Sequence, residues 1–309
     1  MSTPFAIIPK FLWTEIIRYL PYKSTIIMAH VHPQFDAIVD WKYCFDNRPD
    51  DIAIVFSNTN KLDWRHACIT YIGCNNINNL LTNLQAMLKN RKSRKYYYFC
   101  KVIIKSGRYE YKNYIGIHNL SYINCSIELI GSDDKSNRTS IYCDNSTVSF
   151  RIEISASFIV KQIDIVNLHF TLMNSNDIDT MALFDDCAIT YTLKSSIPFN
   201  RGLQITSIRH IIIKNCIFQL FATNNSICIC VENIYPRYIP TISIDHCQFT
   251  CKSTCMGINH KKNTFIDISF SNNIVNSAEY VFVSKYSIEH QVRSHNNIYN
   301  TNVELYRIY

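Results

Sequence analysis

The chain has 309 residues, 47% hydrophobic and 18% charged, with a formal net charge of +7; that much apolar material excludes global disorder and allows an elongated domain plus a small one. No run of about 18 apolar residues offers a membrane-spanning helix and no leader-like segment opens the chain, so the expected setting is the cytoplasm or the nucleus, away from membranes. Thirteen cysteines, an odd number in a reducing compartment, are expected as small buried hydrophobes rather than as a disulfide framework.

Gly and Pro are few, at 6 and 8, whereas Ile, Asn, Ser and Tyr abound, a mixture that favours strands joined by tight polar bends. The N-terminus differs. Leu12, Ile16 and Leu20 recur every fourth residue with Ile17 beside them, an apolar stripe on a short helix opposite Glu15 and Arg18 that Pro21 ends. Ser24 is placed to cap a second helix carrying Ile27, Met28 and Val31, and Pro33 to open a third carrying Phe35, Ile38 and Val39. So thin a unit leaves apolar surface exposed unless the rest of the chain or another protein covers it.

The series Ile8-Pro9, Ile16-Ile17, Leu20, Val31 and Phe35 resembles an F-box, whose pattern runs Leu-Pro, Ile-Leu, Leu, Val and Trp at matching spacing. The resemblance covers about residues 5–42. It implies that residues 1–45 bind the Skp-type adaptor of a cullin–RING ubiquitin ligase through Ile8, Pro9, Leu12, Ile16, Ile17, Leu20, Val31 and Phe35. Ile8 stands where Leu is usual and Phe35 where Trp is, and Ser24-Thr25 replaces a typical acidic residue and Leu. The same spacing also fits an ordinary three-helix subdomain.

Residues 46–75 carry no interpretable pattern and are expected as a linker. Leu80, Leu81, Leu84, Met87 and Leu88 then mark an amphipathic helix over 79–90. The one dense basic run, Lys89, Arg91, Lys92, Arg94 and Lys95, leads through Tyr96, Tyr97, Tyr98 and Phe99 into Val102, Ile103 and Ile104. It reads as a solvated segment ahead of a strand, so nucleic acid is not the expected partner.

Beyond it a repeat sets in. Ile163–Phe170, Ile211–Phe218 and Ile242–Phe249 share one plan: two apolar residues alternating with others, a polar residue, then a further apolar pair. Marking the polar residue puts Asn124, Asn145, Asn167, Asp186, Asn215, His246, Asn272 and Asn296 in register, at a mean step of about 25 residues. Periods of this length belong to solenoids or propellers, and no helical pattern intervenes, so a β-solenoid with three short strands per coil is expected. Inward parity slips across the mark, from Ile242 and Ile244 to Cys247 and Phe249, which places a two-residue bend at Asp245-His246. One residue of such a bend takes positive φ, which Asn, Asp and His accept more readily than other non-Gly residues. Cys125, Ser146, Leu168, Cys187, Cys216, Cys247, Asn273 and Asn297, each following a mark, are expected to stack inside successive coils.

The opening segment Val102–Tyr109, an apolar strand running into Gly107-Arg108-Tyr109, resembles the first coil of the pectin-lyase-like superfamily, and the helix over 79–90 resembles the one that plugs the end of such solenoids. The fold implied is mainly β: a right-handed parallel β-helix of about eight or more coils over residues 76–309, preceded by the small α-helical F-box-like domain. An F-box joined to such a solenoid resembles an arrangement known among F-box proteins, including those of large DNA viruses, whose AT-rich genomes suit this composition.

Many pectin-lyase-like proteins cleave polysaccharides with two or three carboxylates and a Lys or Arg on one strand stack. Here the outward positions before the marks read Ile123, Asp144, Val166, Asp185, Lys214, Asp245, Ser271 and His295, which does not collect carboxylates on neighbouring coils. Asp133-Asp134 and Asp185-Asp186 are adjacent pairs whose side chains diverge in a strand or turn. His246, Cys247, Cys251, Cys255 and His260 have a spacing that zinc accepts, although the repeat already accounts for His246 and Cys247. The expectation is therefore an adaptor without catalytic residues or cofactor, its F-box bound to a Skp-type adaptor and cullin and its solenoid to a client protein. A carbohydrate-active β-helix enzyme and a structural, virion-associated solenoid are the alternatives.

Overall fold

Three parallel ladders dominate the computed structural model, which describes residues 9–57, 59–89, 98–112, 116–120, 125–144, 149–154, 156–174, 179–192, 201–221, 226–232, 239–260, 262, 265–288, 291–300 and 302–308. Each coil gives one strand to each ladder, and neighbours within a ladder come from successive coils. The second and third ladders are eight strands deep; the first has ten, two of them from the N-terminal region. Six coils thus lie between two terminal ones. The chain is a mainly β parallel β-helix behind a small helical region, as the repeat implied.

The core follows from alternation. On the first ladder Ile127, Phe158, Ala182, Ile211, Ile242 and Ile268 stand in register, as do Leu129, Val160, Phe184, Ile213, Ile244 and Phe270. All are buried in one continuous cluster. Between the first and second ladders the chain turns through a left-handed residue: Gln162, Asp186, Asn215, His246, Asn272 and Asn296 have φ between 52° and 58°. That conformation lets the corner N–H continue the ladder, as Asp186 N–H donates to Lys214 O at 3.2 Å and Asn215 N–H to Asp245 O at 3.1 Å.

The marks divide differently from the expected single register. Asn167, with φ 54°, follows Ile163–Val166 of the second ladder and so belongs to another corner. Gln162 takes its place in the row, and Ser207, φ 57°, forms a corner after the third ladder. Asn124 and Asn145 lie outside the described residues. The inner column next to the row is accordingly Ile163, Cys187, Cys216, Cys247, Asn273 and Asn297, without Leu168; Cys125 instead opens a first-ladder strand, and Ser146 lies outside the described residues. At Gly131, which ends the second coil's first strand, a Cβ would collide with the Gln162 carbonyl of the next coil, so only glycine fits.

The N-terminal region comprises α1 (Lys10–Tyr19), α2 (Tyr22–Val31), α3 (Pro33–Asp36) and α4 (Trp41–Asp46). Pro21 rather than Ser24 is the N-cap of α2, and Ser24 lies within the helix. Residues 46–75 are not a linker: they form β1 (Ile52–Ser57), α5 (Trp64–Thr70) and β2 (Ile72–Cys74). β1 pairs antiparallel with β2 and with β3 (Tyr98–Ile104), the solenoid's first strand. Its two faces serve two cores. Ile52 and Ile54 enter the solenoid core, whereas Ala53 and Val55 join Ile17, Ala29, Phe35, Val39 and Phe45 in the helical one. The helical core therefore extends past residue 45 to Ala67 and Cys68 of α5. α6 (Ile77–Lys89) then buries Ile77, Leu80, Leu84 and Leu88 in the solenoid core, capping its first coil.

Candidate docking surfaces

Helical periodicity splits the F-box-like residues of α1 between two faces. Trp13, Ile17 and Leu20 pack into the helical core, where Trp13 meets the fully buried Phe35 edge-on at 6.2 Å. Ile17 is 6% exposed, whereas Leu12 and Ile16 are 43% and 40% exposed. Tyr19 follows Ile16 by three residues and shares the outer stripe; Phe11 is exposed beside it. On α2, Thr25 and Ala29 are buried and Ile27 and Val31 exposed. Pro9 is the exposed N-cap of α1, and Ile8 lies outside the described residues. Phe11 and Tyr19 have no counterpart in the F-box pattern; the signal for Tyr19 is its helical offset from Leu12 and Ile16, and Phe11 has none. On the same helix Arg18 pairs with Glu15 at 3.0 Å.

The solenoid offers a groove of about 360 Å³ on the outside of its third ladder, lined by Arg201, Ile227, Cys230, Glu232, Gly257, Ile258, Asn259 and Lys285. Gly257 opens it, since a side chain there would meet Ile227 at 3.2 Å. Glu232 accepts from Arg201 Nη1 at 2.8 Å and Gln204 Nε2 at 3.2 Å. Glu232 is the single carboxylate among the described lining residues.

Other carboxylates hold the coils together. Arg138 bridges Asp164 at 2.8 Å and Asp186 at 3.1 Å. Asp185, Lys214 and Asp245 stand in register on the first ladder, with Lys214 Nζ 3.1 Å from Asp185. Burial pushes the Asp245 carboxyl up, but hydrogen bonds from Asn272, His246 and Ser271 outweigh it and hold the group below the usual carboxylate range. Asp134 is tied to Ser136 in an exposed loop. Of the outward positions read from sequence, Val166 belongs to the second ladder, and Asp144 follows a second-ladder strand.

The five candidate zinc ligands are not brought together as a set, although Cys251 contacts Cys255 and Cys228 inside the core. His246 points outward onto Asp245 at 2.7 Å, while Cys247, Cys251 and Cys255 are buried and His260 packs against Tyr286. Parity separates His246 from Cys247: the left-handed corner at His246 turns adjacent residues to opposite sides of the wall. Among the described residues no three His, Cys, Asp or Glu side chains form a metal-holding group. All thirteen cysteines are free thiols, and all but Cys74 are buried.

No protein-family model, curated protein sequence or solved structure matches the chain. The F-box and pectin-lyase-like resemblances rest on the residues themselves.

Proposed function

We propose that the chain is a non-catalytic adaptor whose helical region docks on the Skp-type adaptor of a cullin–RING ubiquitin ligase while the solenoid holds a client protein. The observation that carries this reading is the division of α1. Ile17 and Leu20 anchor the helix, and Leu12 and Ile16 stay at the surface with Phe11, Tyr19, Ile27 and Val31. Large apolar side chains held outward by their own core mark an interaction surface rather than a packing failure. A glycosidase-type site needs paired carboxylates, and the third-ladder groove holds one among its described lining residues.

Co-purification with a Skp-type adaptor and cullin tests the reading. Leu12→Asp with Ile16→Asp alters only exposed positions and is expected to abolish adaptor recovery while the circular dichroism spectrum stays unchanged. Equal recovery by the parent and the double variant removes the basis for the ligase role.

A further inference from the structure

We propose that the seam between the helical region and the first coils binds a small oxyanion of the phosphate type. A cavity of about 380 Å³ lies there, lined by Lys42, Asp46 and Arg48 on one side and by Lys105, Ser132 and Asp133 on the other. Arg48 is 2% exposed, yet its guanidinium finds only neutral acceptors. Nη1 donates to Phe45 O at 3.1 Å, and Nη2 donates to Asp51 O at 3.2 Å and Ile103 O at 3.0 Å. Its Nε–H is buried without a hydrogen-bond partner. Lys105 Nζ in turn donates to the carbonyl of Arg48 itself.

Two cations are thus held close together, partly out of water, with backbone dipoles but, among the described residues, no carboxylate in hydrogen-bond contact. Burial lowers the Lys105 ammonium below its ordinary range, and repulsion from Arg48 adds to the effect. Carboxylates of Asp46, Asp50 and Asp51 attract these cations without hydrogen-bonding to them, and an anion in the cavity would add direct charge-assisted bonds from Lys42 and Lys105 and hydroxyls such as Ser132. Asp46 and Asp133 share the lining and offset two of the three positive charges. The lining side chains alone carry one net positive charge, with Asp50 and Asp51 acting on Lys105 from behind them, which suits a small ion or a single phosphomonoester and not a polyanion such as nucleic acid. The site stands apart from α1 and α2, so it does not depend on the adaptor reading.

Calorimetric titration of the full chain with inorganic phosphate, and separately with O-phosphoserine, at constant ionic strength set by chloride, tests the proposal. Saturable one-site binding is expected, weakened about tenfold or more by Lys42→Met with Lys105→Met and unchanged by Arg293→Met on the far coils. Binding of phosphate alone identifies a free ion; equal or tighter binding of O-phosphoserine identifies a phosphorylated side chain. Lys42 is exposed, so Lys42→Met alone keeps the fold and gives a smaller loss in the same direction. Heats that do not saturate with either probe, or equal affinity in parent and variants, overturn it.

Discussion

The side-chain oxygen of Asn273 accepts the backbone N–H of Cys247 at 2.8 Å, although a whole coil separates the two residues. Its Nδ2 donates to Ile244 O at 3.2 Å. One level further on Asn297 repeats the arrangement, accepting from Asn273 N–H at 2.9 Å and donating to Phe270 O at 2.9 Å. Asparagine thus continues the column that runs through Cys187, Cys216 and Cys247. Asn273→Ala leaves a buried donor and a buried acceptor unmade, and is expected to cost about 2 kcal/mol or more. Asn297→Ala, in the last coil and partly exposed, costs less. Urea unfolding of the two variants gives the ranking; a larger loss at Asn297 contradicts it.

The left-handed corners predict opposite outcomes for two substitutions at one position. Asn215 has φ 55°, so Asn215→Val brings a β-branched side chain into a conformation that costs about 1–2 kcal/mol. Asn215→Gly removes that strain and stays within about 1 kcal/mol of the parent. Equal destabilisation by both refutes the conformational argument.

Glu128 lies between Lys101 and Lys161, with both ammonium nitrogens 2.6 Å from its carboxylate. Burial alone raises its pKa, but the two lysines outweigh burial and hold it below the ordinary glutamate range. A depressed folded pKa contributes stability that is complete above the unfolded value, about 4.3, and is lost as pH falls through the folded one. Glu128→Gln, which leaves two buried-side cations uncompensated, is expected to lose about 3 kcal/mol at pH 7. The gap to the parent should narrow on acidification below pH ~4. A gap that stays constant from neutral to acid pH counts against the triad.

Phe35 and Ile16 separate core from surface on the same motif. Phe35→Ala opens a cavity under Trp13 and is expected to destabilise the helical region by about 3–5 kcal/mol. Ile16→Asp changes stability by about 0.5 kcal/mol or less and acts only on docking. Differential scanning calorimetry compared with adaptor recovery distinguishes the two; similar melting shifts for both variants sink the assignment of faces.

The solenoid was legible because its corners demand a backbone conformation that few residues tolerate, and Asp186, Asn215, His246, Asn272 and Asn296 announce it. Gln162 and Ser207 take the same conformation with side chains that carry no such signal, so the row seemed to run through Asn167, one ladder away. β1 was illegible for a different reason. Ile52–Val55 is buried on both faces, so its residues show no alternation, and a short apolar run lacks the period that distinguishes strand from helix. On α1 the spacing was readable, but which of Ile16 and Ile17 faces inward depends on partners from α3 and β1 that lie far along the chain.

Because Ile52–Ser57 is sandwiched between two hydrophobic clusters, one strand belongs to both the helical region and the solenoid. The helices are thereby held at one end of the stack, and each coil adds roughly 4.8 Å to its length. Length in this architecture is a matter of how many rungs the gene encodes, and lengthening or shortening the stack by whole coils would reset it without disturbing the helical core.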